Sequence, residues 1–241
     1  MCTVTIFYKG NTDFVLTSNR DEAPNRTALA PDFYTINDTE VLLPKDEQSG
    51  GSWIGASNKN RVVCLLNGGF EIHNRKAEYR QSRGVVVKDL LSAKAIESAI
   101  QSYNFNDIEP FTLVIADWNT QLYFYELVWD GASVHFEKLP LATKIWSSST
   151  LYTEEKKQAR RKWFETFASK HKLSSKTLLE FHKTAGKGND DYGVVMNRGF
   201  VKTTSITQIE KTGKVIEMRF SNLNTLETSV QLLNLQETID E

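Results

Sequence analysis

The chain has 241 residues, with 29 Lys and Arg against 30 Asp and Glu, a formal net charge of −1. That balance excludes a chain built mainly to neutralise phosphate, so no nucleic-acid partner is expected. Hydrophobic residues make up 40% and charged residues 24%, which excludes a largely disordered chain.

In chain order, the β-branched and aromatic run at 3–8 predicts a strand, Gly10-Asn11 a turn, and 13–18 the returning strand of a hairpin. Residues 23–50 hold three of the five prolines (24, 31 and 44) and read as loop with short strands. Ser52 to Ser57 and Arg61 to Leu66 read as a strand pair. The run Val62 to Leu66 lacks alternation, which predicts cover on both faces. Val85, Val86, Leu90, Leu91, Ile96 and Ile100 have helical spacing, with a break near Ser92. Strand-like runs follow at 111–116, 121–128 and 133–138, with turn chemistry at Asn119-Thr120 and Asp130-Gly131. Segment 153–169 reads as a helix capped by Thr153, with Glu154 and Glu155 at its positive end and Ala159, Trp163, Phe164 and Phe167 on one face. A second helix spans 174–184 and stops before Gly186. Strand-like runs return at 192–197, 201–209 and 214–220. Strand groups interleaved with helix pairs predict an α+β layered fold, two antiparallel sheets between helix layers, and one domain over 1–241.

A folded chain of this mass exposes roughly 11,000 Å² and buries about 70% of its unfolded surface, enough for a core without covalent staples. The two cysteines, Cys2 and Cys64, are too few for a disulfide framework or a Cys-rich zinc site, so no metal or cofactor is expected. No apolar run approaches the length of a bilayer span, and Lys9, Gly10, Asn11 and Asp13 interrupt the first twenty residues. Neither a membrane segment nor a signal peptide is expected, which points to a cytoplasmic protein. The four histidines, His73, His135, His171 and His182, are scattered and read as surface or loop residues.

Three places carry candidate chemistry. Removal of Met1 would leave Cys2 with a thiol and a free α-amine on one residue, both titrating near neutral pH. Taken alone, Met1-Cys2 reads more readily as a small packed cysteine in a reduced chain. Ser18-Asn19-Arg20-Asp21-Glu22 follows the returning strand, so the hairpin brings it back beside Cys2. There Arg20 would favour a thiolate and Asp21 would hold an ammonium; a solvated charge cluster is the other reading. Asn67-Gly68-Gly69 follows the buried strand and offers an amide and glycine N–H groups as oxyanion donors, or else a plain hairpin turn. Trp53, in Gly50-Gly51-Ser52-Trp53-Ile54-Gly55, reads as core or as ligand wall.

Met1-Cys2, Ser18 to Glu22, Gly50 to Gly55, Asn67-Gly68 and Ser82-Arg83-Gly84 resemble, in order and spacing, the NRDE family, also called TANGO2 (transport and Golgi organisation 2). That family is similar to N-terminal-nucleophile (Ntn) hydrolases of the choloylglycine hydrolase and penicillin V acylase type. The resemblance implies a four-layer αββα fold and a Cys2 nucleophile acting on a linear amide or thioester bond of a small molecule. It further implies Arg20, Asp21 and Asn67 as catalytic partners, with Asn19, Trp53, Gly68, Arg83, Ser148 and Lys202 around the substrate. The acylase arginine falls where this chain has Ser18, a second oxyanion Asn falls in the serine run Ser147 to Ser149, and a late arginine could correspond to Lys202 or Arg198. The resemblance also admits a non-catalytic carrier of haem, acyl-CoA or lipid on the same fold.

Overall fold

The computed structural model describes residues 3–235. Their elements are β1 (Thr3–Gly10), β2 (Asp13–Glu22), β3 (Ala28–Ile36), β4 (Thr39–Asp46), β5 (Ile54–Ser57), β6 (Arg61–Asn67), α1 (Arg83–Ser92), α2 (Ile96–Ser102), β7 (Phe111–Asp117), β8 (Tyr123–Trp129), β9 (Val134–Leu139), β10 (Lys144–Ser147), α3 (Glu154–Lys170), α4 (Ser175–Thr184), β11 (Lys202–Thr212), β12 (Val215–Asn222) and β13 (Thr228–Asn234). One sheet has the order β10-β1-β2-β11-β12-β13, the other β3-β4-β5-β6-β7-β8-β9. Every strand pairing in both is antiparallel.

The sheets pack face to face. Strand alternation sends Val4, Ile6, Phe14 and Leu16 of the first sheet into one core with Cys64, Leu66 and Phe124 of the second. The Phe14 and Phe124 rings meet edge to face at 5.8 Å. The opposite face of β2 turns Val15 toward α3 and α4, where Phe164, Leu178, Phe181 and Val194 close a second apolar cluster. Helix α1 covers β4, β5 and β6 on the far side. Buried Arg61 pins it there, donating to the carbonyls of Leu90 and Ala93 at the helix end. The layers therefore run helices, sheet, sheet, helices, the αββα arrangement expected.

Most predicted elements stand where the periodicity put them. Helix α4 begins with a reciprocal cap, the Ser174 hydroxyl accepting from Thr177 N–H and the Thr177 hydroxyl from Ser174 N–H. Four expectations need correction. Residues 23–50 contain two full strands rather than short ones: β3 is a sheet edge, and Pro31 lies in its register shift between Leu29 and Asp32, where no ladder donor is needed. Residues 192–197 are not a strand; they form turns joined to β11 by a single bridge, Asn197 to Lys202. Asn67-Gly68-Gly69 is not a hairpin turn, because β6 pairs with β7 after a long excursion through α1 and α2. His182 is neither surface nor loop but fully buried on α4. No helix among the described residues is long and apolar enough to cross a membrane.

Candidate active site

The word Ser18 to Glu22 does not follow β2; it is the end of β2. Pairing with β11, from Lys202 opposite Glu22 to Lys211 opposite Phe14, extends the strand through these polar residues. Strand alternation then divides them. Asn19 and Asp21 face the helices α3 and α4, while Arg20 faces the other way.

On the helix side every polar group is engaged. Asn19 Nδ2 donates to the carbonyls of His182 (3.0 Å) and Val194 (2.7 Å). Its Oδ1 therefore accepts from His182 Nδ1 at 2.5 Å, which leaves His182 Nε2 to accept from the Thr5 hydroxyl at 2.8 Å. The imidazole is neutral in this setting: burial, reinforced by the charge of Arg160, pushes it down to about 3. Asp21 takes the hydroxyls of Tyr152 (2.8 Å) and Thr203 (2.6 Å) on its two oxygens. Buried Arg160 stacks over the Tyr152 ring and donates to Thr3 Oγ1 (2.6 Å) and to the carbonyls of Tyr192 and Gly193. Thr3 lies opposite Asn19 on one side and Ser147 on the other.

The other side opens into a cleft of about 320 Å³ that brings together Arg20, Trp53, Asn67 and Arg83. A bulge at Thr204, opposite Arg20, helps aim the arginine; the Thr204 hydroxyl lies 3.2 Å from Arg20 Nη1. The Arg20 guanidinium lies 4.7 Å from the Trp53 ring centroid and pairs with Asp46 at 2.6 Å. Burial pulls Arg20 below its ordinary range, against the pull of Glu22 and Asp46. Burial alone would raise the Asp46 carboxyl, but the Ser49 N–H, Arg26 and Arg20 together hold it low. Arg83, at the start of α1, reaches Glu109 at 3.2 Å. Burial lowers its affinity for the proton and Glu109 opposes that. The glycines of both motifs make this approach possible. A Cβ on Gly84 would lie 2.9 Å from Ser52 N and 3.0 Å from the Gly51 Cα, so the α1 terminus and the loop before Trp53 touch backbone to backbone.

Asn67 ends β6 and lines the cleft; its side-chain amide has no hydrogen-bond partner among the described residues. The neighbouring groups expected to help it are committed elsewhere. Gly68 N–H donates to the Pro110 carbonyl at 3.0 Å, so it is not a free oxyanion donor. Ser148 donates to the Asn67 carbonyl at 2.7 Å, holding the Asn67 backbone rather than facing the cleft. Lys202 stands opposite Glu22 at the start of β11 and is not part of the cleft wall. Arg198 donates to Leu151 O and lies 5.3 Å from the Tyr152 ring centroid. Cys64 is buried between the sheets, and burial pushes its thiol up to about 12, which excludes it as a ready nucleophile. Cys2 lies outside the described residues. Among those residues no group of three or more His, Cys, Asp or Glu side chains could hold a metal ion. Asp46, Glu109, Tyr152 and Thr203 went unnoticed in the sequence, where no local pattern marks them; His182 was read as a surface or loop residue, and Arg160 is hidden among the charges of segment 153–169.

The model of the family described as transport and Golgi organisation 2 matches residues 1–216. No curated protein matches the sequence. Among solved structures, a Caenorhabditis elegans ortholog of N-acylethanolamine-hydrolyzing acid amidase superposes with a TM-score of 0.58 at 12% identity, covering 86% of this chain and 92% of that one. A variant of conjugated bile acid hydrolase from Clostridium perfringens gives 0.50 at 10% identity, with both chains covered in full. A further mutant of that hydrolase gives 0.51 at 10% identity, covering 100% of this chain and 99% of that one. The chain belongs to the transport and Golgi organisation 2 family and has the fold of the Ntn hydrolases.

Proposed function

We propose that this protein is a cysteine hydrolase or acyltransferase of the N-terminal-nucleophile type, acting on a linear amide or thioester bond of a small molecule. The observation that carries the reading is Asp21. Its carboxylate is buried and held by two hydroxyls, on the strand that pairs with the first residue after Cys2. A carboxylate so placed has a use if an α-ammonium comes to it. The fold shared with two amide-cleaving enzymes supports the same reading.

In this mechanism Met1 is removed and the Cys2 α-amine, oriented by Asp21, takes the thiol proton. The thiolate attacks the carbonyl carbon, and the oxygen takes up the electron pair. The Asn67 amide, the unpartnered donor on the cleft wall, stabilises that oxyanion. Collapse forms a thioester on Cys2 and expels the amine or thiol, which receives the proton held by the α-amine. Water or an acceptor nucleophile then cleaves the thioester by the same steps in reverse. Arg20 supplies positive charge on the thiolate side, and Asn19 keeps β2 in register with α4 through His182.

Intact mass comes first: the reading expects a chain lighter by one methionine. Cys2→Ala then loses activity on a panel of amides and thioesters by about 10³-fold or more. Retention of Met1 in protein purified from its own host, or full activity in Cys2→Ala, rejects the mechanism.

A further inference from the structure

We propose that the cleft between β2 and the start of α1 is a subsite for a single acidic group of the ligand, a carboxylate or a phosphate. This deepens the functional reading above, and rests on it only in treating that ligand as substrate.

Four observations converge. First, the charges do not cancel. The cleft wall carries Arg20, Arg26, Arg75 and Arg83 against Glu22, Asp46 and Glu109. Each inner carboxylate is shared: Asp46 serves both Arg20 and Arg26, and Glu109 serves both Arg83 and Arg75, with His73 Nε2 also 3.4 Å away. The wall as a whole carries one more cation than anion, the excess lying on Arg75, 74% exposed. The inner pair Arg20 and Arg83 each share their carboxylate with a second cation, so neither is fully neutralised and an acidic group would be drawn to them.

Second, the Trp53 indole N–H is buried and has no hydrogen-bond partner among the described residues. An indole nitrogen only donates, so what completes it must be an acceptor. Third, the α1 N-terminus opens onto the same wall at Ser82, Arg83 and Gly84. This ten-residue helix has no acidic residue in its first turn, and Ser82 makes no capping hydrogen bond. Its positive end is thus left for something else to satisfy. Fourth, the Asn67 amide also lines the cleft. An acidic group seated between Trp53 and Arg83 therefore lies on the same wall as the proposed oxyanion donor, as the acid of an N-acyl amino acid or a phosphorylated leaving group would.

The test uses Cys2→Ala protein, which cannot turn a substrate over, and reads binding by calorimetry at low ionic strength. The probes are N-acetylglycine, inorganic phosphate and the neutral N-acetylethanolamine. Either acidic probe is expected to bind at least tenfold more tightly than the neutral one. The tighter of the two acids identifies the group as carboxylate or phosphate. Arg83→Gln should weaken the acidic probe about tenfold. Trp53→Phe, which keeps a ring under Arg20 and removes only the N–H donor and part of the ring system, should weaken it severalfold, and serves if Arg83→Gln does not fold. Equal binding of acidic and neutral probes overturns the subsite, as does acidic binding indifferent to Trp53→Phe. Because binding is read without turnover, a catalytically dead wild type would leave the subsite standing. An active enzyme that ignores acidic groups would end the subsite and spare the mechanism.

Discussion

The two faces of the end of β2 solve opposite problems with the same residue types. Toward α3 and α4, Asn19, Asp21, Thr5, His182, Tyr152 and Arg160 form a polar core in which donors and acceptors meet in pairs. Toward the cleft, four arginines face three carboxylates, and the Trp53 indole and Asn67 amide are donors with no hydrogen-bond partner among the described residues. Burial is similar on both sides, since Asp21 and Arg20 are 2% and 3% exposed. What differs is completeness. Asp21 apart, which the proposed mechanism gives to the Cys2 α-amine, the paired network holds a shape, whereas an unsaturated one has free energy to gain from a ligand. The strand's alternation places the two back to back, so the rigid face fixes the backbone from which the reactive face projects.

If the helix side is structural, its central cation should cost most to remove. Arg160→Met deletes hydrogen bonds to Thr3, Tyr192 and Gly193 and leaves the Thr3 and Gly193 acceptors buried. We expect a loss of about 3–4 kcal/mol, read as the shift of the urea midpoint. A loss under about 1 kcal/mol would show that the network relaxes or takes in water, and the contrast between the faces would fail.

Much of this division was out of reach of the sequence, for identifiable reasons. Arg20, Trp53, Asn67 and Arg83 stand in short words, three of them glycine-bearing, whose order implied a common site, and all four line one cleft. The partners that complete the opposite face come from far along the chain: Tyr152 meets Asp21 across 131 positions and His182 meets Asn19 across 163. No local pattern announces such pairs. The SNRDE word looked like a strand end because charged residues close most strands; β1 pairs with Ser18 and Asn19, and β11 alongside extends the ladder through Glu22. Strand β10 has four residues at a sheet edge, too short for any periodicity to register. Strands β3 and β4 were hidden by prolines that an edge and a bulge tolerate. Helices, whose signals are local, were read in the right places, with the Ser174 cap made, although Thr153 stands at the N-cap of α3 without a side-chain capping hydrogen bond.

The histidine in that saturated face sharpens the comparison through pH. His182 has its folded-state value pushed down to about 3 by burial and by Arg160, against an ordinary 6.5. The folded protein therefore binds fewer protons than the unfolded chain between these values, and stability falls as pH drops from about 6.5 toward 3. At pH 5 the contribution is about 2 kcal/mol, since each unit is worth about 1.4 kcal/mol. His182→Gln is less stable at pH 7, but its stability should decline less between pH 7 and pH 5, by about that amount. Parallel declines in the two proteins would mean that His182 takes up its proton in the folded state, and the face would not be closed to charge.

The finest test deletes one hydrogen-bond donor from each face. Tyr152→Phe removes the hydroxyl that Asp21 accepts at 2.8 Å, a bond to a buried acid whose lost partner is not replaced. Its cost should be about 1.5–3 kcal/mol. Trp53→Phe removes an N–H that has no partner among the described residues. The smaller ring forfeits some contact, but the orphan donor disappears with it and the space opens to the cleft rather than to a sealed void. These terms oppose each other, and the net change should stay within about 1 kcal/mol of the parent. The informative quantity is the difference between the two midpoints. If Trp53→Phe costs as much as Tyr152→Phe, the indole N–H already has a partner, and the donor left over for a ligand is not there. If only Tyr152→Phe is costly, the two faces differ as their hydrogen bonding implies: one is complete without a ligand, and the other is built to be completed by one.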